Sequence, residues 1–402
     1  MHLSSLTNRI SGRGAAGWAV SDLAESMIAR GEDVIALTLG DPDFDTPEVI
    51  TDAAIGALRN GRTHYAAICG IAPLRSSVAV AQSRLDGLPW CADNVVIFPG
   101  AQSALFSVML CIGDVGKKVI VFDPMYATYS AVVGASGAEK VTVPIKLAFD
   151  GSTRATIDFD ALEHAVEPDV VAILLNAPNN PGGFVFDNAT LQRLAEICVK
   201  HDLWLISDEV YRDLTFDGRF ESISALPGMA ERTIIVNSLS KSHAMTGWRI
   251  GWAIAPASLV EHLGRLAQCS LFGSPTFIQD AGVVALEQCN RYVAVHRERF
   301  ARRRDLLLAE LSKSESLRIS PPGGGMFVLV DVRRTGLSGE AFAQMALQEA
   351  SVAVVPGMAF SEHEDWFVRV SFAGNESRLS EGARRLVRFA DRTASRKINS
   401  SN

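Results

Sequence analysis

The chain has 402 residues, of which 48% are apolar and 21% are charged, and its formal net charge at pH 7 is -7. This balance is typical of a compact globular protein with about two or three structural units, and it excludes disordered, collagen-like and coiled-coil chains. The negative charge argues against a protein that is built to bind nucleic acid.

The N-terminal region, up to about Asp45, contains a helical pattern over residues 20–30 and an apolar strand over residues 34–39. Beyond it, short β-branched runs alternate with polar or glycine-rich turns and with helical patterns. Five such runs, each followed by a polar turn, cover residues 95–98, 119–122, 170–175, 203–206 and 233–236. Apolar strands that alternate with helices predict a mostly parallel sheet with both faces covered. Ligands of such sheets bind outside the carboxyl ends of the strands, so we expect the five turns to form one site.

This alternation stops at about residue 290. A long amphipathic helix over residues 291–311 is followed by strands at residues 326–330, 352–355 and 367–372. One further helix covers residues 339–349. The mixed order predicts a smaller α+β domain. We therefore expect a large domain over residues 46–290, and a small domain that combines an N-terminal arm, residues 1–45, with residues 291–402.

The cysteine spacing and the N-terminal residues indicate the cellular compartment of the protein. The cysteines lie far apart without metal-site or redox spacing, so we expect buried, reduced thiols at Cys69, Cys91, Cys111, Cys198, Cys269 and Cys289. The N-terminus has no apolar stretch of the kind found in secretory signals, and no segment is typical of a membrane span. The basic run at residues 297–304 is interpreted as a solvated helix face and not as a phosphate-binding patch. The expected location is the cytoplasm.

A glycine-rich motif near the N-terminus matches a dinucleotide-binding fingerprint. Residues 12–17 read Gly-Arg-Gly-Ala-Ala-Gly. Such a fingerprint must follow a strand, whereas residues 6–11 are polar and not strand-like. We therefore reject the nucleotide interpretation.

The turn after the run at residues 233–236 contains a lysine in an unusual setting. Lys241 follows the hydroxyl-rich segment 237–240 and precedes Arg249 by eight residues. A neighbouring cation and a desolvated pocket lower the pKa of a lysine, as a Schiff-base nucleophile requires. The alternative is an ordinary surface lysine in a polar loop.

Two other strand ends carry groups that complement this lysine. Asp208 ends an apolar strand and, if buried, needs a cationic partner such as a protonated pyridine nitrogen; the alternative is a helix N-cap. The turn at residues 100–102 begins a helix and offers backbone N–H groups to a phosphate, with Ser238 and Arg249 available to complete the anion site. Together these groups describe a site for a phosphate, a ring nitrogen and an aldehyde carbon.

Seven segments carry a resemblance to a known family: LGDPDFDTP (39–47), THYAAICGIAPLR (63–75), PGAQSALF (99–106), NAPNNPGG (176–183), SDEVY (207–211), SLSKSHAMTGWRIGW (238–252) and FVRVSF (367–372). Over essentially its whole length, the chain resembles the fold-type I, class I aminotransferases that use pyridoxal phosphate. The resemblance implies an α/β fold, with a mostly parallel seven-stranded sheet between helices, beside the smaller α+β domain.

The resemblance also implies residue roles around the cofactor. Lys241 is expected to form the Schiff base and to move the proton at the substrate Cα, while Asp208 pairs with the pyridine nitrogen. Asn180 and Tyr211 are expected to hydrogen-bond the 3-oxygen, and Tyr126 to stack on the ring. The phosphate is expected to contact Gly100, Ala101, Gln102, Ser238 and Arg249. Tyr65 of the neighbouring subunit would also reach this phosphate, which implies a homodimer with active sites at the subunit interface.

For the substrate, the resemblance implies that Arg369 clamps the α-carboxylate, with Gly40 and Asn180 beside it; no metal is implied. An arginine fork suits bidentate binding of a planar carboxylate. Two departures from the usual family pattern bear on the shape of the pocket. Gly182 stands where a threonine is usual, and Ser242-His243 stands where Thr-Phe is common.

Four segments are most similar to bacterial arginine–pyruvate transaminases: SLSKSHAMTGW (238–248), FGSPTFIQDA (272–281), PGGGMFVLVD (322–331) and ALPGMAERT (225–233). They predict a ping-pong exchange between arginine and pyruvate. Aspartate or aromatic amino-acid aminotransferases remain alternatives, as do β-lyases and cyclopropane-forming synthases on the same scaffold. A regulator with a degenerate aminotransferase domain is disfavoured by the acidic charge and by the short segment before the PDF turn. Recognition of a guanidinium requires a carboxylate or an aromatic face, and the sequence does not locate either.

Overall fold

The computed structural model of the chain describes residues 2–11, 18–149 and 151–400; the glycine-rich motif at residues 12–17 lies outside them. The described α-helices are α1 (Leu6–Arg9), α2 (Ala19–Ala29), α3 (Glu48–Arg59), α4 (Ala72–Asp86), α5 (Ala101–Ile112), α6 (Tyr129–Ser136), α7 (Phe159–Ala165), α8 (Asn188–Lys200), α9 (Ala257–Ser270), α10 (Thr276–Gln288), α11 (Asn290–Leu311), α12 (Gly339–Ala350) and α13 (Glu376–Ser400). The described strands are β1 (Ile35–Ala36), β2 (Val95–Phe98), β3 (Lys118–Asp123), β4 (Glu139–Lys146), β5 (Thr156–Ile157), β6 (Val170–Asn176), β7 (Trp204–Asp208), β8 (Thr233–Ser238), β9 (Gly251–Ile254), β10 (Arg318–Ser320), β11 (Phe327–Asp331), β12 (Val352–Ala353), β13 (Val355–Pro356) and β14 (Phe367–Ser371).

The large sheet has the strand order β2-β9-β8-β7-β6-β3-β4-β5. Its central strands β4, β3, β6, β7 and β8 run parallel to one another, so the predicted α/β fold with a mostly parallel sheet is confirmed. The sheet has eight strands where seven were expected, because the two-residue strand β5 pairs antiparallel with the end of β4 at the edge. The sequence patterns missed β4 and β9. The first mixes polar and apolar residues near the edge, and the second is a four-residue run that begins with glycine, a residue that weakens a strand pattern.

The direction of the strands brings the predicted turns to one edge of this sheet. Strand β9 is antiparallel to both of its neighbours, β2 and β8, so these two neighbours point the same way. The carboxyl ends of β2, β3, β6, β7 and β8 therefore share one edge, and the polar turn after each strand meets the others there.

Helices cover both faces of the large sheet, as the continuous apolar strands predict. Because side chains alternate across a strand, Ile120 and Phe122 pack on one face, against α7 and α8. Val119 and Val121 pack on the opposite face, against α5, α6 and α9. Both apolar clusters are buried, and their packing holds the strands and the turns that follow them in fixed positions.

The C-terminal part builds a second, antiparallel sheet with the order β10-β11-β14-β13. Strand β1 of the N-terminal arm pairs in parallel with β12, and α2 contributes to the same apolar cluster as α11, α12 and α13. The strand predicted over residues 34–39 is confined to Ile35–Ala36, and the one predicted over residues 352–355 divides into β12 and β13. The domain boundaries at residues 46 and 291 stay a prediction.

Two expectations about side-chain burial were partly wrong. All six cysteines are unpaired, but only Cys198 and Cys289 are buried, whereas Cys91 and Cys269 are exposed. In the basic run, Arg297, Arg299 and Arg302 are exposed as expected. Arg303 is instead buried, because it pairs with Asp43 at 2.7 Å and donates to the carbonyl oxygen of Ala373.

Within residues 2–11, 18–149 and 151–400, none of the helices is both long and apolar enough to cross a membrane. No group of three or more His, Cys, Asp or Glu side chains in these ranges is placed to hold a metal ion.

Candidate active site

A cavity of about 400 Å³ lies at the carboxyl edge of the large sheet. Most of the predicted site residues line it, namely Gly40, Ala101, Gln102, Tyr126, Asn180, Asp208, Tyr211, Ser238, Lys241, Arg249 and Arg369. Gly100 does not line the cavity, but its backbone lies against the guanidinium of Arg249, which does. Tyr65 does not line the cavity in this single chain.

One end of the cavity is suited to an anion. Helix α5 begins after Gly100, whose φ of +83° is strained for any residue with a side chain. A Cβ at Gly100 would lie 2.5 Å from a guanidinium nitrogen of Arg249, so the glycine lets this cation approach the helix N-terminus. The side chains of Gln102 and Ser238 line the same end. A cation beside the positive end of a helix dipole forms a site for a phosphate.

Lys241 projects into the middle of the cavity and is not an ordinary surface lysine. Its Nζ donates a hydrogen bond of 2.6 Å to the carbonyl oxygen of Gly40. Burial lowers the pKa of Lys241 to about 8; Arg249 and Arg369 add to this effect, and Asp41 opposes it. About a tenth of the amine is therefore unprotonated at pH 7, far more than for an ordinary lysine, and this is the state that attacks a carbonyl carbon.

Asp208 is a buried carboxylate that has no cationic partner in the described part of the chain. Burial raises its pKa to about 6. Its Oδ2 accepts a hydrogen bond of 2.6 Å from the hydroxyl of Tyr129, and its Oδ1 accepts one of 3.3 Å from the backbone N–H of Val210. The second contact closes a turn after β7, and Asp208 does not cap a helix, because the next helical turn begins at Arg212 with Tyr211 as its N-cap. Because the carboxylate faces the cavity, a cationic ring nitrogen there would stabilise its charged form.

A buried ion pair supports the turn that follows Asp208. Glu209 is fully buried, and it accepts hydrogen bonds from Arg212 at 3.3 Å and from the hydroxyls of Ser222 and Ser207. Arg212 also donates to Gln82 on α4. These partners offset the cost of burying the charges and hold the turn in place.

Asn180 connects several groups of the site. Its side-chain nitrogen lies 3.5 Å from the hydroxyl oxygen of Tyr211, and its backbone N–H donates to Asn176 at 2.7 Å. Asn176 in turn donates to the backbone carbonyl of Asp208 at 3.0 Å. Burial raises the pKa of Tyr211, so its hydroxyl stays protonated and able to donate.

Arg369 is a buried cation in an aromatic setting. Its guanidinium carbon lies 4.0 Å from the ring centre of Phe327 and 4.5 Å from that of Phe360. It donates to Asn180 at 3.0 Å and to the carbonyl oxygen of Thr38. Burial lowers its pKa to about 10, and no carboxylate of the described residues pairs with it. A buried guanidinium without a counter-ion is a binding site for a ligand carboxylate.

Gly40 lies between Lys241 and the aromatic ring of Phe327. A Cβ on Gly40 would come within 2.2 Å of the ring atom Cζ of Phe327. Only glycine therefore lets the backbone approach the ring this closely and offer its carbonyl to Lys241. The glycine predicted at this turn lies at the centre of the site.

The residues that depart from the usual family pattern lie away from the cavity. Neither Gly182 nor His243 lines it. His243 is buried between Ser242, 2.8 Å from its Nδ1, and the carbonyl oxygen of Ala285, 3.1 Å from its Nε2. Both substitutions therefore affect packing behind the site and not its wall.

Sequence reasoning missed several residues that line the cavity: Trp18, Leu39, Asp41, Leu105, Tyr129, Asn176, Val210, Ser240, Thr246 and Phe327. Tyr129 had no helical signal that linked it to Tyr126, because α6 begins only at Tyr129 and Tyr126 lies in the preceding loop. Trp18 had none, because only the packing of the N-terminal arm brings it to the sheet edge.

Known proteins are similar to this chain both in sequence and in structure. The model of the family Aminotransferase class I and II matches residues 32–386. The chain is 45% identical to an arginine–pyruvate transaminase of Pseudomonas aeruginosa, over 96% of this chain and 98% of that protein. It is 36% identical to an aspartate/prephenate aminotransferase of Thermus thermophilus, over 93% and 95% of the two chains. A solved structure of a double mutant of Thermus thermophilus aspartate aminotransferase superposes with a TM-score of 0.90, at 34% identity, over 96% of this chain and 99% of that one.

Proposed function

This chain belongs to the class I and II aminotransferase family and is a pyridoxal-phosphate-dependent aminotransferase, and within that activity we propose that arginine is its amino donor and pyruvate its acceptor. The observation that carries this proposal is the 45% identity, over nearly the full length of both chains, to a transaminase named for these two substrates. Relatives named for other substrates are less similar: an aromatic-amino-acid aminotransferase is 35% identical, and aspartate or aspartate/prephenate aminotransferases are 32% to 37% identical.

The charges of the cavity support a donor without a side-chain carboxylate. Among the described lining residues, the only cations are Lys241, Arg249 and Arg369. We assign Arg249 to the cofactor phosphate, Lys241 to the reacting carbon and Arg369 to the α-carboxylate. No cation of this set is left for the second carboxylate of aspartate, whose burial without a partner would be costly.

The groups around the cavity fit pyridoxal phosphate. Gly100, Ala101, Gln102, Ser238 and Arg249 form the anion end, and Asp208 offers its unpaired negative charge to a ring nitrogen. When bound, the cofactor supplies an aldehyde that bonds to amines and a ring that withdraws electrons from the substrate Cα. We assign Tyr126 to the ring face, and Asn180 and Tyr211 to hydrogen bonds with the ring oxygen.

The protein side of the proposed mechanism follows from these positions. Arg369, with Gly40 and Asn180 beside it, binds and orients the α-carboxylate of the donor. Lys241 would supply the amine that holds the cofactor, and its Nζ would then take the proton from the substrate Cα and deliver it to the cofactor carbon C4′. Asp208 keeps the ring nitrogen protonated throughout. After the keto acid leaves, pyruvate binds to the same arginine and the steps run in reverse, which gives ping-pong kinetics.

The donor assignment is tested by the visible absorption of the holoenzyme, recorded after single additions of arginine, aspartate, alanine and phenylalanine. We expect arginine to remove the cofactor band and pyruvate to restore it, with one alanine formed for each arginine consumed. A band removed by aspartate but not by arginine would overturn the donor assignment. Continuous release of ammonia without a keto acid would indicate a β-lyase instead.

The pKa of Lys241 predicts how fast the cofactor-free protein captures pyridoxal phosphate at different pH values. Only the unprotonated amine attacks the aldehyde, so the rate rises as the pH rises through the pKa. With a pKa of about 8, the midpoint is expected near pH 8, about two units below that of an ordinary lysine. Stopped-flow absorbance measures the rate, and a midpoint near pH 10 would contradict the assignment.

The hydroxyl of Tyr129 is expected to keep Asp208 charged. Its hydrogen bond lowers the pKa of Asp208, so Tyr129→Phe raises that pKa and shifts the acidic limb of kcat/KM to higher pH. Loss of a hydrogen bond to a charged group should also lower kcat by about tenfold. Steady-state rates from pH 5 to 9 test both effects. An unchanged acidic limb in the folded variant would show that Tyr129 does not support this carboxylate.

We further propose that the active unit is a homodimer with Tyr65 of each subunit near the phosphate of the other. The support is that Tyr65 is 85% exposed and packs edge-on against Phe272, itself half exposed, with 5.1 Å between the ring centres. A solvent-exposed aromatic pair of this kind is typical of an interface. The cytoplasmic location stays a prediction.

The shared site predicts that two damaged subunits can complement each other. Tyr65→Phe carries an intact Lys241, and Lys241→Ala carries an intact Tyr65, so a mixed dimer has one site that carries neither change. We expect activity to rise above that of either variant after the two are mixed under conditions that allow subunit exchange. The absence of any rise, with exchange demonstrated by differently tagged chains, would overturn the shared site.

A further inference from the structure

Asp41 is a carboxylate on the cavity wall that the proposed mechanism leaves unused. The described lining residues include two carboxylates, and Asp208 is assigned to the ring nitrogen. The Oδ1 atom of Asp41 accepts a hydrogen bond of 2.8 Å from the hydroxyl of Thr246. Its Oδ2 has no partner in the described ranges. Asp41 is an exposed residue of the cavity wall, so this second acceptor oxygen is available to a ligand.

The position of Asp41 in the chain brings it next to the turn that binds the amine of Lys241. It follows Gly40, whose carbonyl oxygen lies 2.6 Å from Nζ of Lys241. The lysine must reach the substrate Cα, and Asp41 is the next residue after the carbonyl that holds its Nζ. Asp41 also lines the same cavity as Lys241.

Trp18 supplies an aromatic wall on the substrate side of Arg369. Its ring centre lies 5.8 Å from the guanidinium carbon of Arg369, while Phe327 and Phe360 lie closer, at 4.0 and 4.5 Å. Trp18 comes from the start of α2 in the N-terminal arm and is half-buried. The indole therefore keeps part of its surface available to a molecule whose carboxylate is held by Arg369.

We propose that Asp41 and Trp18 form the subsite for the guanidinium of the amino donor, an inference that rests on the arginine donor proposed above. The free carboxylate oxygen accepts hydrogen bonds from the guanidinium, and the indole packs against the aliphatic stem and the planar cation. Both are the groups that guanidinium recognition requires. Asp41 and Trp18 both lie in the N-terminal arm, with α2 and β1 between them, and the folded arm brings both side chains to the wall of the cavity.

The test compares arginine with citrulline, which has the same length and a planar but uncharged head group. The holoenzyme is mixed with each donor and with alanine, and the second-order rate of loss of the cofactor band is measured by stopped flow, with no acceptor needed. We expect Asp41→Asn to lower the arginine-to-citrulline ratio by about tenfold to a hundredfold, as loss of a hydrogen bond to a charged group predicts. A general disturbance of Lys241 would lower all three rates together and would leave the ratio unchanged.

A matched control is Asp45→Asn, which removes the same charge from the same loop at an exposed residue that does not line the cavity. It is expected to leave the ratio at the wild-type value. Trp18→Leu keeps the apolar bulk but removes the aromatic face, and it is expected to lower the rates with arginine and citrulline relative to that with alanine. If Asp41→Asn and Asp45→Asn lowered the arginine-to-citrulline ratio equally, Asp41 would act only through its long-range charge. That result would overturn the subsite.

The outcomes separate the subsite from the donor assignment. If wild-type enzyme reacts with arginine and Asp41→Asn retains the full arginine-to-citrulline ratio, the subsite is wrong and the donor assignment stands. If wild-type enzyme reacts with alanine but not with arginine, the donor assignment is wrong and the subsite falls with it.

Discussion

Replacing Lys241 with alanine is expected to abolish transamination, with a loss in kcat of about 10⁴-fold or more. The variant loses both the amine that bonds to the cofactor and the base that moves the proton at Cα. No other described lysine lines the cavity, so no neighbouring amine takes its place. The effect is chemical and not one of folding, because Lys241 makes a single hydrogen bond, to the carbonyl oxygen of Gly40.

Reduction with borohydride followed by mass spectrometry measures the covalent adduct directly. Wild-type protein is expected to retain the cofactor mass on the peptide that contains Lys241, and Lys241→Ala to retain none. Lys200→Ala, a change at an exposed lysine near the end of α8, serves as the matched control and should keep both adduct and activity. A reducible adduct in Lys241→Ala would refute the assignment of this lysine.

The second large effect is expected for Arg369→Lys, which should lower kcat/KM for the amino donor by about a hundredfold. The guanidinium fork presents two parallel N–H groups to a carboxylate, whereas an ammonium is a point charge. Packed between Phe327 and Phe360, a lysine would also lose its charge more readily than arginine does. Most of the loss should appear as a higher KM, since the α-carboxylate is bound both before and during the reaction.

Arg249→Lys provides the complementary control, because it changes the same residue type at the anion end of the cavity. It is expected to weaken the affinity for pyridoxal phosphate, measured by fluorescence titration of the cofactor-free protein, more than it raises the donor KM. Arg369→Lys should show the opposite pattern. An unchanged donor KM in folded Arg369→Lys would contradict the carboxylate clamp.

The prediction of Lys241 and Asp208 depended on local order along the chain. Each follows a short apolar run, and the carboxyl ends of parallel strands share an edge, so their proximity followed once the runs were recognised as strands. The roles of Arg369 and Gly40 came from the family resemblance alone. Nothing in their local pattern indicates that strand β14 and the turn after β1 meet the edge of the large sheet.

The pairing of Tyr129 with Asp208 shows why the rest of the site was not predictable. These residues are separated by 79 positions, and their hydrogen bond depends on the order of β3, β6 and β7 in the sheet. Strand order is decided by packing across the whole domain and leaves no periodicity in the sequence. The same limit applies to Trp18, whose arm must pack on the C-terminal part before the indole reaches the cavity.

The amino-acid sequence by itself therefore determined the strand–turn units, the α/β class, the lysine, the carboxylate and the anion turn, because strand periodicity and turn chemistry are local properties. Only the tertiary structure decided that β9 runs antiparallel to both β2 and β8, so that β2 points the same way as β8, and that Arg369 is buried without a counter-ion among the described residues. It also brought Asp41 and Trp18 to the wall of one cavity. The strand order and the setting of Arg369 depend on contacts between segments far apart in the chain, whose free energy depends on burial and charge in the folded state.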